Sequence, residues 1–112
     1  MYLKLINHKP FVRYILYNLA ISNRVCQLVE CQHIETIQIT SSKVHECKDC
    51  IVLGDDWVHL RLCTECGYVG CCDSSKNKHA TKHFRATTHP IIKSQEAGES
   101  WMWCYIDELL FE

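Results

Sequence analysis

Two Cys-x-x-Cys pairs, Cys47/Cys50 and Cys63/Cys66, stand ahead of a cysteine doublet, Cys71-Cys72, and three histidines, His79, His83 and His89. No other feature of the chain limits its fold so severely. A Cys-x-x-Cys pair presents two thiolates at the bite of a tetrahedral ion, and a distant pair of donors closes the site. Two such pairs need four more ligands. The stretch from 71 to 89 supplies them as Cys71 or Cys72, His79, His83 and His89, with one cysteine of the doublet left over. A disulfide framework accounts for the pattern less well. Nine cysteines leave one thiol over in any full pairing, and histidine adds nothing to a disulfide while being a common metal ligand. His79 and His83 are four residues apart, the spacing of neighbours on one helical face, which taken alone would send both to the same ion.

Chain length makes such a staple valuable. With 112 residues the chain is read as one domain, near the lower edge of what an apolar core stabilises well. A structural zinc site adds on the order of 10 kcal/mol of apparent binding free energy to folding. Charge is balanced, with 12 Lys+Arg against 13 Asp+Glu, so no global field points to nucleic acid or to a membrane. The apolar segment "FVRYILYNLAIS" is interrupted by Arg13 and Asn18, is short for a bilayer span, and lacks a small-residue cleavage site after it. The expectation is a reducing, cytoplasmic setting. Residues 1–25 are read as an N-terminal extension, helical or frayed, and 26–112 as the metal-binding domain.

Hydropathy patterning places the ligands on a small α+β scaffold. "IETIQIT" alternates Ile37 and Ile39 with polar neighbours, as a half-buried strand does. "WVHLRL" sets Val58, Leu60 and Leu62 against Trp57, His59 and Arg61. A knuckle and a short strand follow in "CTECGYVGCC". Asp73-Ser74-Ser75 offers a helix N-cap, and 76–86 reads as a helix carrying His79 and His83. "IIKS" after Pro90 and "SWMWCYID" are two more strands. On the latter, Trp101, Trp103 and Tyr105 share one side while Met102, Cys104 and Ile106 share the other. A third donor group, Cys31 and His33 with Cys104 and Asp107, comes together only if the chain turns between Cys104 and Asp107. Otherwise Cys104 is a small buried hydrophobe.

"CQHI", "CKDC", "WVHLRLCTECGYVGCCD", "HATKHFRATTHPIIKS" and "GESWMWCYIDE" together resemble the UBP-type (ubiquitin-specific-protease-type) zinc finger, in particular its short stand-alone bacterial members. The likeness covers about residues 29 to 110. It implies a twisted antiparallel sheet with one or two helices, held by zinc. It also implies a cross-braced partition of ligands. One zinc would take Cys47, Cys50, Cys71 and His79, and a second Cys63, Cys66, His83 and His89. A third would take Cys31, His33 and Cys104, with Asp107 where relatives often place a cysteine. Under this partition His79 and His83 belong to different ions, and Cys72 and Cys26 are not ligands.

Closed four-ligand sites leave no position for substrate, and no recognisable catalytic constellation is present, so the chain is expected not to be an enzyme. The resemblance implies a protein-interaction module recognising a peptide or carboxyl-terminal tail, with Trp57, Trp103 and Tyr105 at the aromatic positions of the binding slot; the chain is expected to be a monomer. The alternative for these three residues is that they are core. The family's gripping arginine is replaced by Asp73, with Ser74 beside it in place of an aromatic. A ubiquitin tail is therefore expected to bind weakly or not at all. Nucleic-acid binding through Lys78, Lys82 and Arg85 is the rival reading, disfavoured by the net charge of −1. Redox sensing through a free thiol such as Cys72 is the third.

Overall fold

The computed structural model describes residues 30–112; the expectations for residues 1–25, and Cys26, lie outside them. Five strands form one antiparallel sheet in the order β2-β1-β3-β4-β5. They are β1 (Leu60–Cys63), β2 (Val69–Cys71), β3 (Ile91–Ser94), β4 (Met102–Cys104) and β5 (Leu109–Phe111). Two helices accompany the sheet, α1 (Lys48–Leu53) and α2 (His79–Thr87), and a 3-10 turn spans Ile34–Thr36.

One face of the sheet carries two separate cores. Ile91, Met102, Cys104, Leu109 and Phe111 pack with Cys31, Ile34 and Ile37 beneath β3–β5. Leu60, Leu62, Val69 and Cys71 pack with Cys47 and Cys50 beneath β1 and β2. Half of this second group is cysteine, so that end of the domain has little apolar volume of its own. On the other face α2 lies against β2. Its first turn sits so close to Gly70 that an added Cβ would stand 2.9 Å from the Ala80 nitrogen and 3.1 Å from the His79 carbonyl carbon. Only glycine fits there.

Several sequence expectations need correction. "IETIQIT" is not a strand: it opens with the 3-10 turn, and Gln38 and Ile39 both donate their backbone N–H to the Thr64 carbonyl, at 2.9 and 2.8 Å. The alternation is real but serves two cores, with Ile37 in one and Ile39 against the other. β1 begins at Leu60 and leaves Val58 half exposed. The first Cys-x-x-Cys pair opens a helix, unforeseen in the sequence, which Gly54 ends in the left-handed region at φ 77°. α2 starts at His79 after Lys78 in the left-handed region, and no side chain of Asp73, Ser74 or Ser75 caps it. β5 is a further strand beyond those that the sequence alternation marks. Among the described residues no helix is long and apolar enough to cross a membrane.

Candidate metal centres and an aromatic cleft

The structure gathers the soft donors into three groups of four, each with its ligand atoms within 4.8 Å of one another. The first group joins Cys47 at the N-cap of α1, Cys50 in its first turn, Cys71 at the end of β2 and His79 at the start of α2. His79 Nδ1 lies 3.3, 3.4 and 3.5 Å from the sulfurs of Cys47, Cys50 and Cys71, and the Cys50 and Cys71 sulfurs are 3.7 Å apart. A zinc–sulfur bond of about 2.3 Å gives tetrahedral edges of about 3.8 Å, whereas a disulfide needs about 2 Å. The described cysteines are all unpaired. The spacing is that of ligands around an ion. Backbone and side-chain N–H groups turn the sulfurs inward, from His79 to Cys71 at 3.2 Å and from the Asn77 amide to Cys50 at 3.6 Å.

The second group joins Cys63, Cys66, His83 and His89. Cys63 Sγ is 3.6 Å from His89 Nδ1, and Cys66 Sγ is 3.4 Å from His83 Nε2. Tyr68 stacks on the His83 ring at 4.3 Å and donates its hydroxyl to Asp49 on α1 at 2.6 Å, tying the two groups together. Helical spacing alone misplaces one histidine. α2 runs between the two knuckles, so His79 meets the sulfurs of one and His83 those of the other.

The third group is Cys31, His33, Cys104 and Asp107. The chain does turn where both late donors require it: Glu108 takes φ 55° and donates to the Cys104 carbonyl at 2.8 Å. His33 Nδ1 stands 3.5 Å from Cys104 Sγ and 2.9 Å from Asp107 Oδ2, and that carboxylate oxygen also accepts the Gln32 backbone N–H at 2.7 Å. The imidazole–carboxylate approach is of hydrogen-bond length, closer than the edges of the other two groups.

Without a cation these clusters are electrostatically uncomfortable. Burial raises the Cys63 thiol and pushes Cys47 up to about 12. The contact between the two thiols raises Cys31 and lowers Cys104. A divalent ion reverses this by stabilising the thiolates outright. Cys72 joins no group. Its thiol is buried 3.6 Å from the Ser75 hydroxyl.

A cleft of about 290 Å³ opens beside α2, on the same sheet face that the helix packs against. Ile92, Trp103 and Leu110 are in register across β3, β4 and β5 and line it, with Trp101 and Tyr105 flanking Trp103 on the same strand face. Phe84 of α2 stacks on Tyr105 at 4.5 Å. Arg61 and Asp73 also line the cleft. The Arg61 guanidinium lies 4.6 Å over the Trp101 ring, and Asp73 accepts the Thr81 hydroxyl at 2.6 Å. Trp103 and Tyr105 are thus brought together, but Trp57 is not with them. It packs on the Cys47/Cys50 core and lines a separate, more polar hollow with His45 and Glu96. Sequence alternation marked Arg61 only as outward-facing; its place in the cleft depends on strand register, which no local signal gives. Of the basic stripe, Lys82 and Arg85 are exposed on α2 while Lys78 precedes the helix.

Comparison with known proteins gives the same kind of domain. The family model described as "Zn-finger in ubiquitin-hydrolases and other protein" matches residues 45–110. An NAD-dependent deacetylase, sir2A, of Dictyostelium discoideum is 35% identical over 63 residues, covering 56% of this chain and 11% of that protein. Ubiquitin carboxyl-terminal hydrolase 44 of Ailuropoda melanoleuca is 28% identical over 83 residues, covering 69% of this chain and 11% of that protein. The matches therefore span about a tenth of these relatives' length. The solution structure of protein RPA1320 from Rhodopseudomonas palustris superposes with a TM-score of 0.67 at 46% identity, over 77% of this chain and 84% of that one.

Proposed function

The chain belongs to the family of zinc fingers found in ubiquitin hydrolases and other proteins, and from that membership we propose that it is a protein-interaction module, built by zinc and working through the cleft beside α2. It is a zinc-binding domain. We assign one ion to each group of four donors. Four protein ligands fill a tetrahedron and leave no position for substrate, which is the arrangement of a staple and not of a reaction centre. No catalytic step is part of this reading.

The ligand class is a peptide's free carboxyl terminus. The observation that carries it is Arg61, a cation 4.6 Å over the Trp101 ring in the cleft with Trp103 and Tyr105, steadied by a 2.9 Å bond from Nη1 to the Leu60 carbonyl and with no ion-pair partner among the described residues. A guanidinium matches a carboxylate bidentately, and the stacked ring holds it ready at little further ordering cost. The flanking aromatics offer broad, stiff contact area for a short extended tail. The name of one relative, a ubiquitin carboxyl-terminal hydrolase, supports a tail as the ligand. Calorimetry of a short neutral peptide with a free carboxylate, against its C-terminal amide, tests this. The free acid should bind about tenfold or more tightly, and Arg61→Met should remove the difference. Equal binding of acid and amide, or none of either, would overturn the reading.

A further inference from the structure

Resting on the tail-binding reading above, we infer that the cleft selects a carboxyl terminus whose last residue is basic, because a cation and an anion, Arg61 and Asp73, line it together with an aromatic floor. Arg61 and Asp73 both line the cleft and make no ion pair with each other or with any other described residue. They come from different elements, Arg61 from β1 and Asp73 from the turn after β2. Both act on Tyr105. Burial raises that phenol, so it stays protonated, while Asp73 and Arg61 influence it in opposite directions. The Tyr105 hydroxyl is 3.1 Å from the Thr81 hydroxyl, which in turn donates to Asp73 at 2.6 Å. Asp73 is therefore tied toward the aromatic wall through Oδ1, and the residue is exposed.

A terminal lysine or arginine satisfies every part of this arrangement. Its carboxylate meets Arg61, its apolar stem crosses Trp103, and its charged head reaches Asp73 beside the Tyr105 ring. There, ion pairing and cation–π attraction act together. A terminal glycine leaves Asp73 facing the ligand carboxylate with nothing between them, and a terminal glutamate adds a second negative charge. Complementarity of this kind discriminates between partners more than it adds raw affinity.

The test uses three peptides identical but for the last residue, Lys, Gly or Glu, each with a free carboxylate, titrated into the zinc-loaded protein and its Asp73→Asn variant. Asparagine still accepts the Thr81 hydroxyl, and unchanged zinc content verifies that the variant is folded. The lysine-ended peptide should bind about threefold to tenfold more tightly than the glycine-ended one, with glutamate weakest. In Asp73→Asn the lysine and glycine peptides should converge. Equal affinities for the lysine and glycine peptides in the native protein, or a lysine preference that survives Asp73→Asn, overturn this inference and leave the tail reading standing. No binding by any of the three overturns both.

Discussion

The domain has two ends that are held together differently. At the β1–β2 end the donors alternate along the chain: the first Cys-x-x-Cys pair closes with Cys71 and His79, the second with His83 and His89, and α2 belongs to both groups. The core there is half cysteine. At the β3–β5 end a single group joins Cys31 and His33 to Cys104 and Asp107, across 71 residues between His33 and Cys104. That group sits beside a core with its own bulk, including Ile34, Ile91, Met102 and Phe111. Where apolar volume is scarce the ligands themselves are the core, so metal and fold are inseparable. Where apolar volume is ample, the metal acts as a clasp on a long loop. Asp107 in place of a thiolate suits the second role, since a harder oxygen donor holds zinc less strongly than sulfur does.

The largest expected effect lies at the cysteine-rich end. Cys47→Ser or Cys63→Ser should abolish the fold, because a lost thiolate opens a site whose binding, about 10 kcal/mol, is coupled to folding. Circular dichroism with zinc analysis would detect it, and a native spectrum in either variant would break the contrast. Cys104→Ser should cost less, about 4 kcal/mol, the loop-closure free energy of a clasp over a chain of this length. Denaturant unfolding measures this; a loss as complete as that of Cys47→Ser would make the two ends equivalent. Arg61 and Asp73 carry the contrast to the cleft, which lies over β3–β5. The double change Asp73→Arg with Ser74→Tyr should raise affinity for a diglycine-ended ubiquitin tail by about tenfold or more by calorimetry. No gain would mean that Trp103 and Tyr105 serve packing alone. The smallest effect belongs to Cys72→Ser, under about 1 kcal/mol by thermal unfolding, since the side chain belongs to no metal group and a serine hydroxyl can keep its contact with the Ser75 hydroxyl. Were Cys72→Ser to unfold the chain while Cys71→Ser did not, the doublet would be assigned the wrong way round.

Most of the architecture could be read in the sequence because its strongest signals are chemical. The spacing of soft donors demands a metal-built domain whatever the surrounding helix and strand propensities. Spacing alone did not partition the ligands. His79 and His83 look like a pair on one helical face, and only the position of α2 between the two knuckles separates them, as the family resemblance implies. Ile37 and Ile39 misled for a related reason, since period-two burial also arises when one extended segment feeds two cores. The cleft was half legible. Trp103 and Tyr105 follow from alternation on one strand, whereas Arg61 enters through registers spanning β1, β3 and β4. Trp57, which the resemblance grouped with them, packs instead on the Cys47/Cys50 core.

Native mass spectrometry of the intact protein and of Asp107→Ala tests the contrast between the two ends most directly. Three zinc ions are expected in the native protein. Two are expected in Asp107→Ala with the fold retained, and mild chelation of the native protein should remove one ion well before the other two. Fewer than two ions in folded protein, an unchanged count in Asp107→Ala, or simultaneous loss of all three on chelation would contradict it.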